Sequence, residues 1–412
     1  MRRRFISIIC ASVCAGMLLC ACSSNEDENV FTGDTTEKPV YQAKLNAITP
    51  AAYSSVEGLE LEPGTYISVI GKEEDSAYWN QIRAGVEQAA ADLNEALGYS
   101  GSDQIKVLYN APSGEEDMNE QVNILDEELA RYPDVIAIAS IDEDASEVQF
   151  DLAAGNDIPI VAFDSGNLYQ GIQCTCKTDN SAATAEGVSK LCEAIGDSGE
   201  VALIVHDSVS ESAREREEAF KAALSAEHPE VTVAETIYMD ELDEIKKSAA
   251  AEQLGVSLEE IQAQQAAETT DQGEEQTGEA SAVMEEINAA AEGMSDEDAV
   301  AYCLKKHPDL KGCFGTNVDA TQLGLKALGS MEEAEDVVLM GFDAGAEQLE
   351  ALESGEIDGL VVQNPFGIGY AAVIASARTV LEIGNEAQVN TGYIWVDQEN
   401  LEEDAVQAML YE

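Results

Sequence analysis

Five short segments of this chain are nearly continuous apolar runs: Tyr66–Ile70, Val135–Ala139, Ile158–Phe163, Val201–Val205 and Val337–Phe342. A strand with one face in water alternates apolar and polar residues. One that is apolar throughout is buried on both faces, the pattern of parallel sheets covered by helices. Between these runs lie amphipathic segments, and Trp79, Ile82, Val86, Ala90, Leu93 and Leu97 recur at the three- and four-residue spacing of one helix face. The alternation predicts an α/β fold in which ligands bind beyond the carboxyl ends of the strands. Residues 64 to 412 are more than one core usually organises, so two lobes are expected.

The N-terminal stretch reads differently. Arg2, Arg3 and Arg4 precede an apolar run from Phe5 to Leu19 that is too short to span a bilayer, the layout of a signal peptide. The run ends in Leu19-Cys20-Ala21-Cys22, which resembles a lipobox. The resemblance implies cleavage after residue 21 once the Cys22 thiol carries a diacylglycerol. Ala21 is the small residue such a peptidase needs before the cut, whereas cutting before Cys20 would put Leu19 there. Residues 22–63, with the acidic run Asn25-Glu26-Asp27-Glu28-Asn29 and little apolar periodicity, read as a flexible acidic linker. The expected location is the outer face of a cell membrane, lipid-anchored, or the periplasm where an outer membrane is present.

Charge and cysteine usage narrow the function classes. Eighty-one acidic residues against 21 basic ones give a net charge of −60, which disfavours nucleic acid, anionic lipid headgroups and phosphorylated ligands. Past the leader and Cys22 the cysteines are Cys174, Cys176, Cys192, Cys303 and Cys313, an odd set that argues against a fully paired framework and for buried free thiols. His206, His228 and His307 have no close Cys/His spacing, so no metal site is expected. No nucleophile elbow or phosphate loop appears, and Gly367-Ile368-Gly369 is too short for a dinucleotide motif; neither an enzyme nor a cofactor is expected.

One stretch breaks the alternation. From about 241 to 292 the chain is rich in Ala, Glu and Gln, and Thr269 to Gly278 lacks apolar periodicity. It reads as an insertion, partly helical and partly disordered, more simply a solvated loop than a partner contact. Regular order resumes where Ser295 and Asp298 offer an N-terminal cap to a helix over Ala299–Lys306.

The unusual polar and aromatic residues gather at strand ends. Asp75-Ser76-Ala77-Tyr78-Trp79 follows the first strand, Asp164-Ser165-Gly166 the third apolar run, and Asp343-Ala344-Gly345 the last; Asn317 follows Cys313-Phe314, and Gln363 follows Leu360-Val361-Val362. Singly, each has a plain explanation as a core aromatic or a helix cap. Their shared placement points to a ligand site.

In this arrangement residues 64 to 408 resemble the type I periplasmic binding proteins, specifically the ribose/galactose-type sugar-binding components of ABC transporters. The resemblance rests on Tyr78-Trp79 with Arg83-Ala84-Gly85, Ala139-Ser140-Ile141-Asp142, Ile158-Pro159-Ile160-Val161-Ala162-Phe163-Asp164, Thr178-Asp179-Asn180, Arg214-Glu215-Arg216, His307-Pro308-Asp309-Leu310, Gly341-Phe342-Asp343 and Gln363-Asn364-Pro365, in family order. It implies two Rossmann-like lobes, 64–178 plus 364–393 and 179–363 plus 394–412, joined by three hinge crossovers near 178, 364 and 393. It also implies ligand contacts at Ser76, Tyr78, Trp79, Asp164, Arg214, Asn317, Asp343 and Gln363. The implied function is a monomeric, non-enzymatic receptor that closes on a monosaccharide or small polyol and delivers it to an ABC permease. Presentation to a membrane sensor kinase or chemoreceptor is the alternative, and the residues do not separate the two. Asp164-Ser165 in place of Asp-Arg, Val318 after Asn317, and Ser76-Ala77 before the aromatic pair depart from the ribose pattern, so ribose itself is not implied.

Overall fold

The computed structural model describes residues 39–114, 117–271, 278–332, 334 and 336–411. The expected signal peptide, the lipidation site Cys22 and the linker up to residue 38 lie outside the described residues.

Twelve strands are present among the described residues: β1 (Tyr66–Ile70), β2 (Lys106–Asn110), β3 (Val135–Ile138), β4 (Ile160–Phe163), β5 (Ile172–Lys177), β6 (Gly199–Val205), β7 (Val231–Tyr238), β8 (Leu310–Gly315), β9 (Val338–Phe342), β10 (Gly359–Gln363), β11 (Gln388–Asn390) and β12 (Tyr393–Val396). They form two six-stranded sheets, ordered β11-β5-β4-β3-β1-β2 and β12-β10-β9-β8-β6-β7. Neighbouring strands pair in parallel, except that β12 runs antiparallel to β10. This is the two-sheet α/β architecture that the contiguous apolar runs predict, and β1, β3, β4 and β10 are buried along their whole length. The chain passes between the sheets after β5, after β10 and between β11 and β12.

Each sheet is covered by helices on both faces, which divides each lobe's core in two. In the first lobe the helix Ala77–Leu97 crosses the helix Pro365–Val380 at very short range. A Cβ on Gly85 would lie 2.0 Å from the Phe366 carbonyl oxygen, and one on Gly369 would lie 2.0 Å from that of Ile82. Gly369, part of the short glycine pair noted above, is therefore a packing residue.

The linker expected over 22–63 is corrected from Val40 onward. Leu45, Ile48, Tyr53, Leu59 and Leu61 are buried in the first lobe's main core, and Tyr41 stacks on Phe366 with ring centroids 5.2 Å apart. Thr49 exchanges backbone hydrogen bonds with Asn390, at 2.8 and 3.0 Å, beside the β11 edge. The apolar residues are too irregularly spaced to read as an element, and the core they join includes residues of the distant helix Pro365–Val380 and of β11.

The insertion is also more ordered than expected. It forms the helices Leu242–Gln253, Leu258–Asp271 and Glu279–Ala291, while residues 272–277 lie outside the described residues. Ala250, Ala251, Met284, Ile287 and Ala291 make a small core of their own. Alanine contributes little to a hydrophobic periodicity yet is the best helix former, so composition points to helix without marking which faces pack. Ser295 and Asp298 form the capping box at the start of the helix Asp296–Leu304. The five cysteines are free and buried, with Cys174 Sγ and Cys176 Sγ 3.9 Å apart on one strand face. Among the described residues no helix is long and apolar enough to cross a membrane.

Candidate ligand-binding cleft

The carboxyl ends of both sheets open onto one cleft of about 570 Å³. β4 and β9 occupy the same place in their sheets, third from one edge, and each ends in Phe-Asp: Phe163-Asp164 and Phe342-Asp343. Both aspartates have positive φ, 59° and 72°. Asp tolerates this left-handed conformation better than most residues, but it still strains the backbone, and such strain concentrates at functional sites. The turn aims both carboxylates into the cleft.

Seven of the eight expected contacts line this cleft: Ser76, Tyr78, Trp79, Asp164, Asn317, Asp343 and Gln363. Their roles differ. Ser76 caps the helix Ala77–Leu97 by accepting from the Trp79 N–H at 3.3 Å, and Asn317 caps the helix Val318–Gly329 by accepting from the Ala320 N–H at 2.8 Å. Both therefore place helix N-termini at the cleft. The Tyr78 hydroxyl donates to Asp164 Oδ1. Trp79 is only 6% exposed and packs edge-on against Phe163 at 6.5 Å, so it belongs largely to the first-lobe core while also lining the cleft.

Arg214 is the exception, and its expected role is corrected. It is not among the residues that line the cleft and pairs with Glu143 of the first lobe. Arg216 takes its place, at 3% exposure. Residues two apart on a helix point about 200° apart, so only one of these arginines can face inward. Local sequence does not say which. Arg216 Nε donates to Asn180 Oδ1 at 2.9 Å, Nη1 donates to the Thr316 carbonyl at 2.5 Å, and the guanidinium lies 4.2 Å over the Phe342 ring.

Asp343 is the most buried carboxylate lining the cleft, at 2% exposure. Its Oδ1 accepts from Gln363 Nε2 at 2.9 Å and from the Tyr411 hydroxyl at 3.1 Å. Gln363 is oriented in turn by Thr178, whose hydroxyl donates to Gln363 Oε1 at 2.9 Å from the crossover after β5. Burial pushes the Asp343 carboxyl up to about 6; the Arg216 charge and the Gln363 and Tyr411 donors oppose the rise, and the neighbouring Asp164 adds to it.

Sequence reasoning missed Lys72, Asp142, His206, Asp207, Arg216 and Tyr411, all of which line the cleft. His206-Asp207 directly follows β6, so the strand-end rule that selected Asp164 would have found them. Burial drives the His206 imidazole down to about 3, with Asp207 opposing and Arg216 and Lys72 assisting, so the ring is neutral near pH 7. Tyr411 has no local signal, since it lies far along the chain from any strand that ends at the site.

The lobes meet across the cleft. Lys177 Nζ on β5 donates to Glu211 Oε1 at 2.6 Å and Glu215 Oε1 at 2.7 Å on the helix Glu211–Glu227 of the second lobe, and Ser165 and Ser212 share a hydrogen bond of 2.9 Å. With Arg214–Glu143, these contacts hold the lobes together on one side of the ligand space.

A family model described as a periplasmic binding protein domain matches residues 67–291 and 261–382. Similar solved structures include a carbohydrate transporter solute-binding protein from Agrobacterium radiobacter in complex with D-arabinose, 22% identical, covering 84% of this chain and 99% of that one, with a TM-score of 0.63. An ABC transporter solute-binding protein from Agrobacterium vitis bound to α-D-tagatopyranose is 22% identical over the same shares, 84% and 99%, with a TM-score of 0.64. A glucose-galactose binding protein from Geobacillus stearothermophilus is 21% identical, covering 82% of this chain and 99% of that one, with a TM-score of 0.61. No curated protein matches the chain.

Proposed function

Because the chain belongs to the periplasmic binding protein domain family, we propose that it is the substrate-binding component of an ABC importer and takes up a neutral monosaccharide or small polyol between its lobes. One observation carries this reading. Asp343 and Arg216 sit in the same wall, 2% and 3% exposed, and each spends all but one polar atom on the protein. Asp343 Oδ2 and Arg216 Nη2 have no hydrogen-bond partner among the described residues, and the two side chains are not ion-paired to each other. A fixed acceptor beside a fixed donor suits vicinal hydroxyls, which both donate and accept. Tyr78 and the exposed part of Trp79 supply the apolar surface that a sugar's C–H face needs. The sugars in the related structures, D-arabinose and tagatose, belong to the same ligand class.

The mechanism is hinge closure. A ligand that bridges Asp343 and Arg216 on one lobe to Asp164 and Tyr78 on the other has its full set of contacts only when the lobes are closed, and so shifts the population toward the form a permease recognises. The receptor is a monomer held at the outer membrane face by acylated Cys22, and it performs no chemistry on its ligand.

Calorimetric titration of the mature chain against D-arabinose, D-fucose, D-tagatose, D-glucose and D-galactose tests the reading. Saturable one-to-one binding of at least one of them is expected, and absence of binding to all five would remove the sugar assignment. For the anchor, Cys22→Ala is expected to abolish radiolabelled palmitate incorporation and release the protein from the membrane fraction; label retained by the variant would refute it.

A further inference from the structure

After β12 the chain stays on the second lobe and passes through the helix Asp404–Gln407, burying Leu401, Val406 and Tyr411 in that lobe's core. At the cleft the Tyr411 hydroxyl makes two directed hydrogen bonds. It accepts from the Ala344 N–H at 3.3 Å and donates to Asp343 Oδ1 at 3.1 Å. A phenolic hydroxyl has a single proton, and an amide donor on its lone pair leaves the carboxylate as the place for that proton. Gln363 Nε2 is the second donor to the same oxygen, in an orientation set by Thr178. Oδ1 is thus fully occupied by the protein.

The neighbouring contacts hold Tyr411 from both lobes. Its ring meets Tyr78 edge-on, with centroids 6.0 Å apart, and Tyr78 donates to Asp164. Lys44, in the N-terminal segment packed on the first lobe, donates through Nζ to the Leu410 carbonyl at 3.1 Å and to Gln81 Oε1 at 3.4 Å.

We infer that Tyr411 is a positioning residue of the binding site: its hydroxyl holds Oδ1 of Asp343, so that Oδ2 is presented to the ligand. The assignment deepens the proposed function and rests on it for the identity of the ligand, but not for the arrangement of Asp343. A tyrosine that only filled the core would be replaced by phenylalanine without consequence for Asp343.

The experiment compares Tyr411→Phe with the native chain in two measurements. The first is a carbon-detected NMR titration of the Asp343 side-chain carboxyl in unliganded protein, assigned by its loss in Asp343→Asn. The groups facing that carboxyl are Arg216 from the helix Glu211–Glu227, Asp164 after β4, Tyr78 from the helix Ala77–Leu97, Gln363 at the end of β10, and Tyr411 itself. The Tyr411 hydroxyl favours the carboxylate, so its removal is expected to raise the midpoint. Tyr370→Phe, which removes a buried hydroxyl that donates to Asp92 at 2.8 Å, is expected to leave it unchanged. The second measurement is calorimetry with D-arabinose, D-fucose and D-tagatose, in which Tyr411→Phe is expected to weaken binding about tenfold and move the pH dependence of affinity upward. An unmoved Asp343 midpoint in folded Tyr411→Phe would overturn the assignment. A raised midpoint combined with no sugar bound by the native chain would support Tyr411 as the holder of Asp343 and remove the sugar reading.

Discussion

Asp164 and Asp343 stand at equivalent places in the two lobes, each after a phenylalanine at the end of an equivalent strand and each with positive φ, yet their surroundings differ. Asp164 is half-buried and held by Tyr78 from its own lobe. Asp343 is 2% exposed, held by two donors, and raised to about 6 by that burial. The same turn thus supplies one adaptable contact and one fixed contact. Desolvation is the deciding factor: a buried carboxylate reorganises little and forms stronger hydrogen bonds, at the cost of a harder ionisation. The second lobe is the preorganised half of the site, and the first lobe closes onto it.

The largest expected effect separates the two carboxylates directly. Asp343→Asn should weaken sugar binding about 100-fold, near 3 kcal/mol for two charged hydrogen bonds, whereas Asp164→Asn should lose only about tenfold. Equal losses by calorimetry would break the asymmetry between the lobes. Next come the two arginines of the helix Glu211–Glu227. Arg216→Ala should cost roughly 2 kcal/mol of binding. Arg214→Ala removes an ion pair whose arginine side chain is 40% exposed, and should change affinity little and stability by about 0–1 kcal/mol. A reversal of that order would return Arg214 to the site.

The smallest effect is a pH dependence. Native Asp343 keeps its proton up to about 6, while the unfolded carboxyl releases its proton near 3.8. Between these values the native state binds more protons than the unfolded one, so this residue's contribution to stability falls as pH rises through the window. Relative to Asp343→Asn, the unliganded native chain should therefore lose a few degrees of Tm between about pH 4 and pH 6. Affinity should move the opposite way and strengthen as pH rises past about 6, because the carboxylate is the better acceptor. A parallel Tm profile in the variant would place the raised carboxyl elsewhere.

Much of this is legible in the amino-acid sequence. β1, β3, β4, β6 and β9 each fall within one residue or two of an apolar run, because burial on both faces leaves a contiguous local signature. Strand-end polar residues marked most of the cleft for a related reason, since a parallel sheet brings its carboxyl ends to one side. The segment from Val40 to Pro63 reads as a linker because Leu45, Tyr53 and Leu61 are too sparse to form a periodic face, and part of the core they join, such as Phe366 and Val389, lies more than 300 positions away. The packing of the insertion's helices is obscured by alanine, and Arg216 by a neighbour of identical chemistry.

The amino-acid sequence by itself determined the two parallel sheets, the covering helices and the line of polar residues at the strand ends, because each is written in the spacing of nearby residues. Only the tertiary structure decided which arginine faces the cleft, which aspartate is desolvated, and that Tyr411 reaches Asp343. Those outcomes depend on solvent exclusion and on contacts between distant segments, and no local pattern encodes either.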